Sequence, residues 1–326
     1  MINVQRNHTI DSLKLLCATL VVFIHCEYPY KVNVLPVTEV AVPLFFALSG
    51  YFIFGAKRKW ERIGRIAKIF AWSAALYLLK TEMVQLLTIH RPWMPTWKNI
   101  TDLILFNDVT FSIHLWYLPA YIYVLVIVFL IDMYNVWRWA FWSILPLLLT
   151  GVFVKYNIAD VCPEDTQYFR NAYFNGLPYF LLGACVKITP PPPPLHFGGK
   201  CLKKSGLQLL LALVIAGLFL ARYYLTGKDL GMLALKEINL MLLTYGIALL
   251  AVLTIQTKDN IISTLGRNYS LYIYIFHILI MQVCEVVAMR LPESIENIYM
   301  YFNPLVVVLL SIEFTYLLGK LRIIKV

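Results

Sequence analysis

The stretch IDSLKLLCATLVVFIH, residues 10–25, decides the fold of this chain. Lys14 and His25 stand eleven positions apart, which is almost three helical turns (about 1,100°), so a helix carries both on one face with roughly 16 Å of rise between them. A cation and an imidazole in such an apolar helix are costly unless both face a polar cavity. The stretch therefore predicts a transmembrane helix that lines a polar interior.

The composition predicts the same environment for the rest of the chain. Of its 326 residues 60% are hydrophobic and the mean hydropathy is +0.71, and apolar runs of about 18 residues or more recur. We therefore predict an all-α integral membrane protein with about ten transmembrane helices around a polar cavity. The expected spans lie near 10–27, 36–56, 66–89, 112–133, 138–155, 172–189, 206–226, 233–256, 269–290 and 301–321.

The distribution of basic residues predicts the orientation. Lys and Arg gather at the span ends on the side of the membrane where the N-terminus lies, above all in KRKWERIGR, residues 57–65. The positive-inside rule then places both termini in the cytoplasm. The net charge of +10 reflects this bias and an attraction to anionic membrane lipids. We expect no nucleic-acid partner, because the basic residues are spread over short loops without a soluble domain that forms a groove.

Short loops leave no room for a soluble domain, so we expect residues 1–326 to form a single transmembrane domain. Five consecutive prolines, 190–194, predict a stiff polyproline II spacer within a cytoplasmic linker, 187–205, between the sixth and seventh spans. The six cysteines include no CxxC pair, which favours packing roles over disulfides or a metal site. We expect no bound metal.

His25 is the first candidate for catalysis, and two carboxylates stand near it in the sequence. Glu27, and Glu39 at the start of the second span, are placed to raise its pKa and hold its tautomer for general-base work. The alternative is a plain interfacial histidine above a cytoplasmic anchor, because Asp11 and Lys14 at i, i+3 can pair with each other.

Arg62 and Arg65 in the basic cluster are the candidates for binding a phosphorylated donor. Their i, i+3 spacing on a helix suits bidentate contacts with phosphate oxygens. The alternative is a topology signal that binds anionic lipid.

Further polar residues stand at the edges of other spans or inside them. His114 begins the fourth span beside Trp116, which by itself is typical of an interfacial aromatic belt. Arg170 and Asn171 begin the sixth span, and His277 falls near the middle of the ninth. Buried ionisable groups on several helices indicate a shared polar interior.

A set of motifs, in this order, resembles the acyltransferase-3 family. The motifs are K14-x10-H25, F45-F46-A-L-S49-G50-Y51-F52, R62-x-x-R65, H114-L-W116-Y117-L118, R170-N171…G183 and G266-x-x-x-S270-x-Y272…H277. The resemblance covers essentially the whole chain and is closest to the subgroup with the membrane domains of vancomycin-type serine racemases. The family's first motif begins with arginine, whereas this chain has Lys14, which keeps the charge and loses the bidentate fork.

The resemblance implies a bacterial inner-membrane enzyme that transfers an acyl group, typically acetyl, from cytosolic acyl-CoA to a hydroxyl of a cell-envelope or exopolysaccharide sugar. It implies three groups of site residues: Lys14, Arg62 and Arg65 for the coenzyme A phosphates; His25, with Glu39, Ser49, His114 and His277, for catalysis; and Trp116, Arg170, Asn171 and Tyr272 for the glycan acceptor. The alternative from another class is a transporter of a glycan or amino acid that uses its buried histidines as a proton relay.

Overall fold

A computed structural model describes residues 6–57, 59–159, 166–189, 196–197, 200–201, 204–226, 230–256, 258–322 and 324. Helices dominate these residues: α1 His8–His25, α2 Lys31–Thr38, α3 Ala41–Ile53, α4 Lys59–Thr88, α5 Trp97–Phe106, α6 Tyr117–Tyr134, α7 Trp137–Trp142, α8 Ile144–Ala159, α9 Leu177–Ile188, α10 Lys204–Leu225, α11 Leu233–Leu253, α12 Ile261–Ala288 and α13 Glu293–Lys320. Two two-residue strands, His196–Phe197 and Lys200–Cys201, pair antiparallel. Arg58, Cys162 and the proline run 190–194 lie outside the described residues.

The chain is a multi-pass membrane protein. Seven helical segments in the described residues are long and apolar enough to cross a membrane: His8–His25, Lys31–Ile53, Ile113–Tyr134, Ser205–Leu225, Leu233–Leu253, Ile261–Ala288 and Glu293–Lys320. Each overlaps one of the expected spans. The other three expected spans fall on α4, α7–α8 and α9, where charged residues or short helix length break the apolar stretch. The expected total of ten therefore remains a prediction.

The described residues form two compact units. The first unit comprises Met1–Phe45, Pro191–Gly227 and Asn239–Val326, and the second comprises Phe46–Pro190 and Lys228–Ile238. The single transmembrane domain over residues 1–326 stays a prediction.

In the first unit α1 and α12 pack closely along their length. A Cβ on Gly266 would lie 1.8 Å from the carbonyl oxygen of Asp11, so only glycine permits this approach. Farther along the same pair, the His25 and His277 rings lie 5.1 Å apart between centroids. Because the lower number on α1 meets the lower number on α12 at both places, the two helices run parallel.

The parallel direction restricts the number of membrane crossings. An odd number of crossings must separate two helices that run the same way through a membrane. Among the seven candidate segments, four lie between α1 and α12 in the sequence. When all four cross, the other described helices between α1 and α12 must add an odd number of crossings, and the predicted ten spans correspond to three.

Side-chain caps stabilise the end of the first unit at which α1 and α12 begin and α11 ends. Asn7 caps α1 by accepting from the Thr9 backbone, and its amide donates to the Ala251 carbonyl at 2.9 Å. The His8 backbone N–H donates to the Gln256 carbonyl at 3.0 Å. At the start of α12, Asn260 and Ser263 form a reciprocal capping box. These bonds satisfy backbone groups that a helix end otherwise leaves unpaired.

In the second unit α3 and α9 cross at a pair of glycines. A Cβ on Gly50 would lie 1.8 Å from the Phe180 carbonyl oxygen, and one on Gly183 would lie 1.7 Å from the Ala47 carbonyl oxygen. The contact is reciprocal, so each glycine admits the backbone of the other helix. The close crossing explains why the motif around Ser49 includes Gly50 and why the motif that begins at Arg170 ends in Gly183.

Candidate active site

The first unit brings together two of the predicted catalytic residues, His25 and His277. His25 is the last residue of α1 and is half-buried, whereas His277 lies within α12 and has no exposed surface. Their rings are 5.1 Å apart between centroids and tilted by 43°. The two imidazoles are therefore close enough for protonation of one to affect the other.

The hydrogen bonds of His277 define its tautomer. Its Nδ1 lies 2.8 Å from the Tyr274 carbonyl oxygen and 3.2 Å from that of Ile273. A carbonyl oxygen only accepts, so Nδ1 carries the hydrogen, and in the neutral ring the lone pair is on Nε2. The helix backbone thus holds one imidazole in a fixed tautomer beside His25.

The periodicity of α12 explains which of its motif residues face α1. Gly266 and His277 are eleven residues apart and Ser270 and His277 are seven apart, so Gly266 and Ser270 each lie within about 20° of the His277 face. Each of the three is buried. Tyr272 precedes His277 by five residues, which rotates it by about 140° from this face. It is half-buried, and its ring lies 6.3 Å from that of Phe276.

Lys14 lies at the opposite end of α1 in an ionic cluster with Asp11 and Arg6. Lys14 Nζ is 3.0 Å from Asp11 Oδ1, and Arg6 Nε is 2.7 Å from Asp11 Oδ2. Asp11 is only 3% exposed, and the two cations compensate the cost of burying its carboxylate. The pairing expected for a cytoplasmic anchor is present, and the cluster still has one positive charge in excess.

The two carboxylates near His25 in the sequence have basic partners. Glu27 accepts from Lys31 Nζ at 2.7 Å. Glu39 Oε2 accepts hydrogen bonds from both Nε and Nη2 of Arg222, on α10. Arg222 is 5% exposed, so Glu39 compensates a buried charge. This geometry favours a structural role for Glu39 over that of an orienting partner for His25.

In the second unit Ser49 and Arg62 both approach Tyr121. The Ser49 hydroxyl hydrogen-bonds to the Tyr121 side chain, and the Arg62 charge acts on the same group. Arg62 and Arg65 are exposed on the first turns of α4. Lys187, at the end of α9, lies near Arg62 and donates to the Phe54 carbonyl at 2.7 Å. This part of the unit is therefore strongly basic.

The residues expected to bind the acceptor also lie in the second unit. The Arg170 guanidinium lies 5.5 Å from the centroid of the Trp116 ring, a cation–π contact. Burial raises the pKa of the nearby Asp108 carboxyl above its usual range, and the Arg170 charge opposes this shift. His114 is buried, with Nδ1 3.0 Å from the Ser112 hydroxyl and its ring edge-on to Tyr77 at 4.6 Å.

Asn171 has a structural role in the second unit. Its side-chain oxygen accepts from the backbone N–H groups of Tyr173 and Phe174, and its amide donates to the carbonyls of Gln167 and Tyr168. These four bonds cap a π-helical turn, Ala172–Gly176, that leads into α9. They occupy both amide hydrogens and the oxygen, so they favour a cap over the predicted acceptor contact.

Comparisons with known proteins give the family of this chain. A profile described as an acyltransferase domain, that of the acyltransferase-3 family, matches residues 7–318. The chain belongs to this family. It is also similar to a serine/alanine racemase of Enterococcus gallinarum, with 25% identity over 248 residues, which are 68% of this chain and 34% of that protein. The resemblance drawn from the sequence, including the racemase subgroup, is confirmed. No solved structure matches.

The acyltransferase contains polar residues that the sequence did not single out. Arg222 is the only charged residue in its apolar segment, and Glu237 directly follows Lys236 in another. Arg222 pairs with Glu39, and Glu237 lies near Lys155 on α8. Charged residues within an expected span are the only signal that the sequence offered for either. The partner cannot be read from the sequence, because helix pairing decides it.

Proposed function

We propose that this membrane acyltransferase transfers an acetyl group from cytosolic acetyl-CoA to a hydroxyl group of a cell-envelope or exopolysaccharide sugar at the bacterial inner membrane. The observation that supports this reaction best is the pair of His25 and His277, with ring centroids 5.1 Å apart. Such a pair suits proton transfer from a weakly acidic hydroxyl, because a neighbouring neutral imidazole can orient the base and share its proton.

In this reaction His25 accepts the proton of the acceptor hydroxyl. The hydroxyl oxygen attacks the thioester carbonyl, the carbon–sulfur bond breaks, and the coenzyme A thiolate takes up a proton from the His25 imidazolium. His277, whose Nδ1 is held by the Tyr274 carbonyl, positions His25 by packing its ring 5.1 Å from the His25 ring.

The donor has phosphate groups that require cations. Arg62 and Arg65 are exposed near the beginning of α4 and have the planar donor groups that bind phosphate oxygens in pairs. Lys14, which pairs with Asp11, is the third cation assigned to the donor phosphates. The acceptor glycan is assigned to Trp116 and Arg170, whose aromatic and cationic groups lie together. The cytoplasmic location of both termini belongs to the same proposal.

The decisive experiment compares His25→Ala with His90→Asn in purified protein supplied with radiolabelled acetyl-CoA and extracted envelope glycans. His90 is an exposed histidine with a positive φ of 56°, which asparagine tolerates, so it controls for loss of an imidazole. We expect His25→Ala to bind acetyl-CoA normally and to lose about 10²–10⁴-fold in transfer rate. Wild-type protein that neither binds acetyl-CoA nor transfers its label would contradict the proposed function.

A further inference from the structure

Glu237 is a charged residue within a membrane segment that the proposed reaction leaves unused. It stands just over one turn into α11, in the candidate span Leu233–Leu253. A carboxylate in such a segment is expensive and is ordinarily retained for a function. Its side chain is 21% exposed, so the carboxylate is partly accessible.

The contacts of Glu237 are long for an ion pair with a purely structural role. Its Oε2 lies 3.5 Å from the Tyr179 hydroxyl, and its Oε1 lies 3.8 Å from Lys155 Nζ. Good hydrogen bonds of these kinds measure about 2.5–3.2 Å. Two other ion pairs of this chain are much shorter, with 2.7 Å for Arg6–Asp11 and 2.7 Å for Lys31–Glu27. Both Glu237 oxygens therefore retain capacity to accept further hydrogen bonds.

Aromatic rings lie beside this carboxylate in the second unit. Lys155 Nζ is 5.5 Å from the Phe169 ring centroid, and the next residue, Arg170, is in cation–π contact with Trp116. Tyr179 has no exposed surface, so its ring is fixed. The loops that bear Phe169 and lead into α11 are on the side that the charge distribution predicts to face outside, where an exported glycan arrives.

We propose that Glu237, positioned by the buried Tyr179 hydroxyl, forms an acceptor subsite that binds neutral sugar hydroxyls. This proposal rests on the proposed function and specifies which groups of the acceptor the subsite recognises. An ionised carboxylate accepts hydrogen bonds and donates none, so it selects hydroxyl donors and repels an anionic substituent at the same place. The buried Tyr179 hydroxyl donates to Glu237 Oε2 and holds the carboxylate in place.

The test uses Glu237→Gln and Tyr179→Phe, with Lys155→Met as the matched control. Lys155→Met removes the ion pair of Glu237 but leaves its carboxylate. Purified proteins are supplied with radiolabelled acetyl-CoA and increasing amounts of envelope glycan extract, and folded protein is counted by size-exclusion chromatography. We expect Glu237→Gln to raise the half-saturating glycan concentration roughly 10- to 100-fold, as for loss of hydrogen bonds to a charged group. Acetyl-CoA binding and its slow hydrolysis without glycan should not change.

The outcomes separate this subsite from the reaction itself. Unchanged half-saturation in both Glu237→Gln and Tyr179→Phe overturns the subsite while leaving the acyl transfer intact. Glu237→Gln and Lys155→Met could instead lose equal amounts of folded protein and keep normal transfer per folded molecule. That result would identify the ion pair as a structural contact between α8 and α11, and it would also overturn the subsite. Wild-type protein that transfers no label contradicts the proposed function, and the subsite with it.

Discussion

Replacing Gly266 by alanine should push α1 and α12 apart. It should also impair acyl transfer, although Gly266 stands eleven residues before His277. The new Cβ would lie 1.8 Å from the Asp11 carbonyl oxygen and 3.1 Å from the Leu15 backbone nitrogen. Both contacts are with backbone, so no side-chain rotation relieves them. To reach even 3.0 Å from that oxygen, the two helices must move apart by about 1.2 Å.

The expected loss of stability follows from two opposing effects. Overpacking of this kind typically costs about 1–3 kcal/mol, while alanine gains about 0.5–1 kcal/mol over glycine in a helix interior. The net destabilisation should therefore be on the order of 1–2 kcal/mol. Gly217, within α10 of the same unit, is the matched control, because a Cβ there meets nothing within 4 Å. We expect Gly217→Ala to be neutral or slightly stabilising.

The measurement is the thermal denaturation of both variants in the same detergent, followed by labelled acetyl transfer per folded molecule. Gly266→Ala should denature at a lower temperature than wild type and Gly217→Ala should not. Its transfer rate should also fall, because the movement of α12 changes the 5.1 Å spacing of the His25 and His277 rings. Equal stability of the two variants would refute the close packing of α1 on α12.

Three further results are expected. The double variant Arg62→Gln/Arg65→Gln should bind acetyl-CoA at least tenfold more weakly, since contacts with charged groups contribute about 1.5–3 kcal/mol each. The control Lys68→Gln, which changes an exposed cation on the same helix, should bind acetyl-CoA normally. Equal affinities of the two variants would mean that the basic cluster is only a topology signal. Hydrogen bonds from Ser263 and then Arg267 hold the pKa of Asp259 well below its ordinary value, so its contribution to stability is full above about pH 4 and declines as the pH falls toward the lowered pKa. Wild type should therefore be more stable than Asp259→Asn at pH 7, with the difference shrinking in acid, and a difference that grows in acid would contradict the sign. A membrane-impermeant thiol reagent should label a variant with Cys162 alone in intact cells and not one with Cys201 alone; the reverse pattern would overturn the predicted orientation.

The sequence predicted the features that depend on local periodicity. The apolar stretch that ends at His25 predicted α1, which the structure has as His8–His25. Seven of the expected spans correspond to candidate membrane helices for the same reason. The resemblance to the acyltransferase-3 family rested on short motifs of fixed spacing, which a linear sequence displays directly, and the family match over residues 7–318 confirms it.

The sequence could not predict contacts that depend on which helices pair. Glu39 stands fourteen positions after His25 in the sequence, yet it binds Arg222 from the distant α10. Asn171 was polar and close to a span, as an acceptor ligand would be, but the local backbone needed its amide for a cap. Polar residues serve caps, ion pairs and substrates with the same atoms, so their role is decided by neighbours that the sequence does not name.

The spacing of the two histidine motifs has one physical origin in the α1–α12 pair. Lys14 to His25 and Gly266 to His277 both span eleven residues, which return to nearly the same helix face after three turns. Because the helices run parallel, the segment near Lys14 lies against Gly266 while His25 lies against His277. Insertion of a single residue between Lys14 and His25 would turn one histidine by about 100° and shift it by about 1.5 Å against the other. The equal spacings therefore keep the basic end and the imidazole end of this helix pair aligned at the same time.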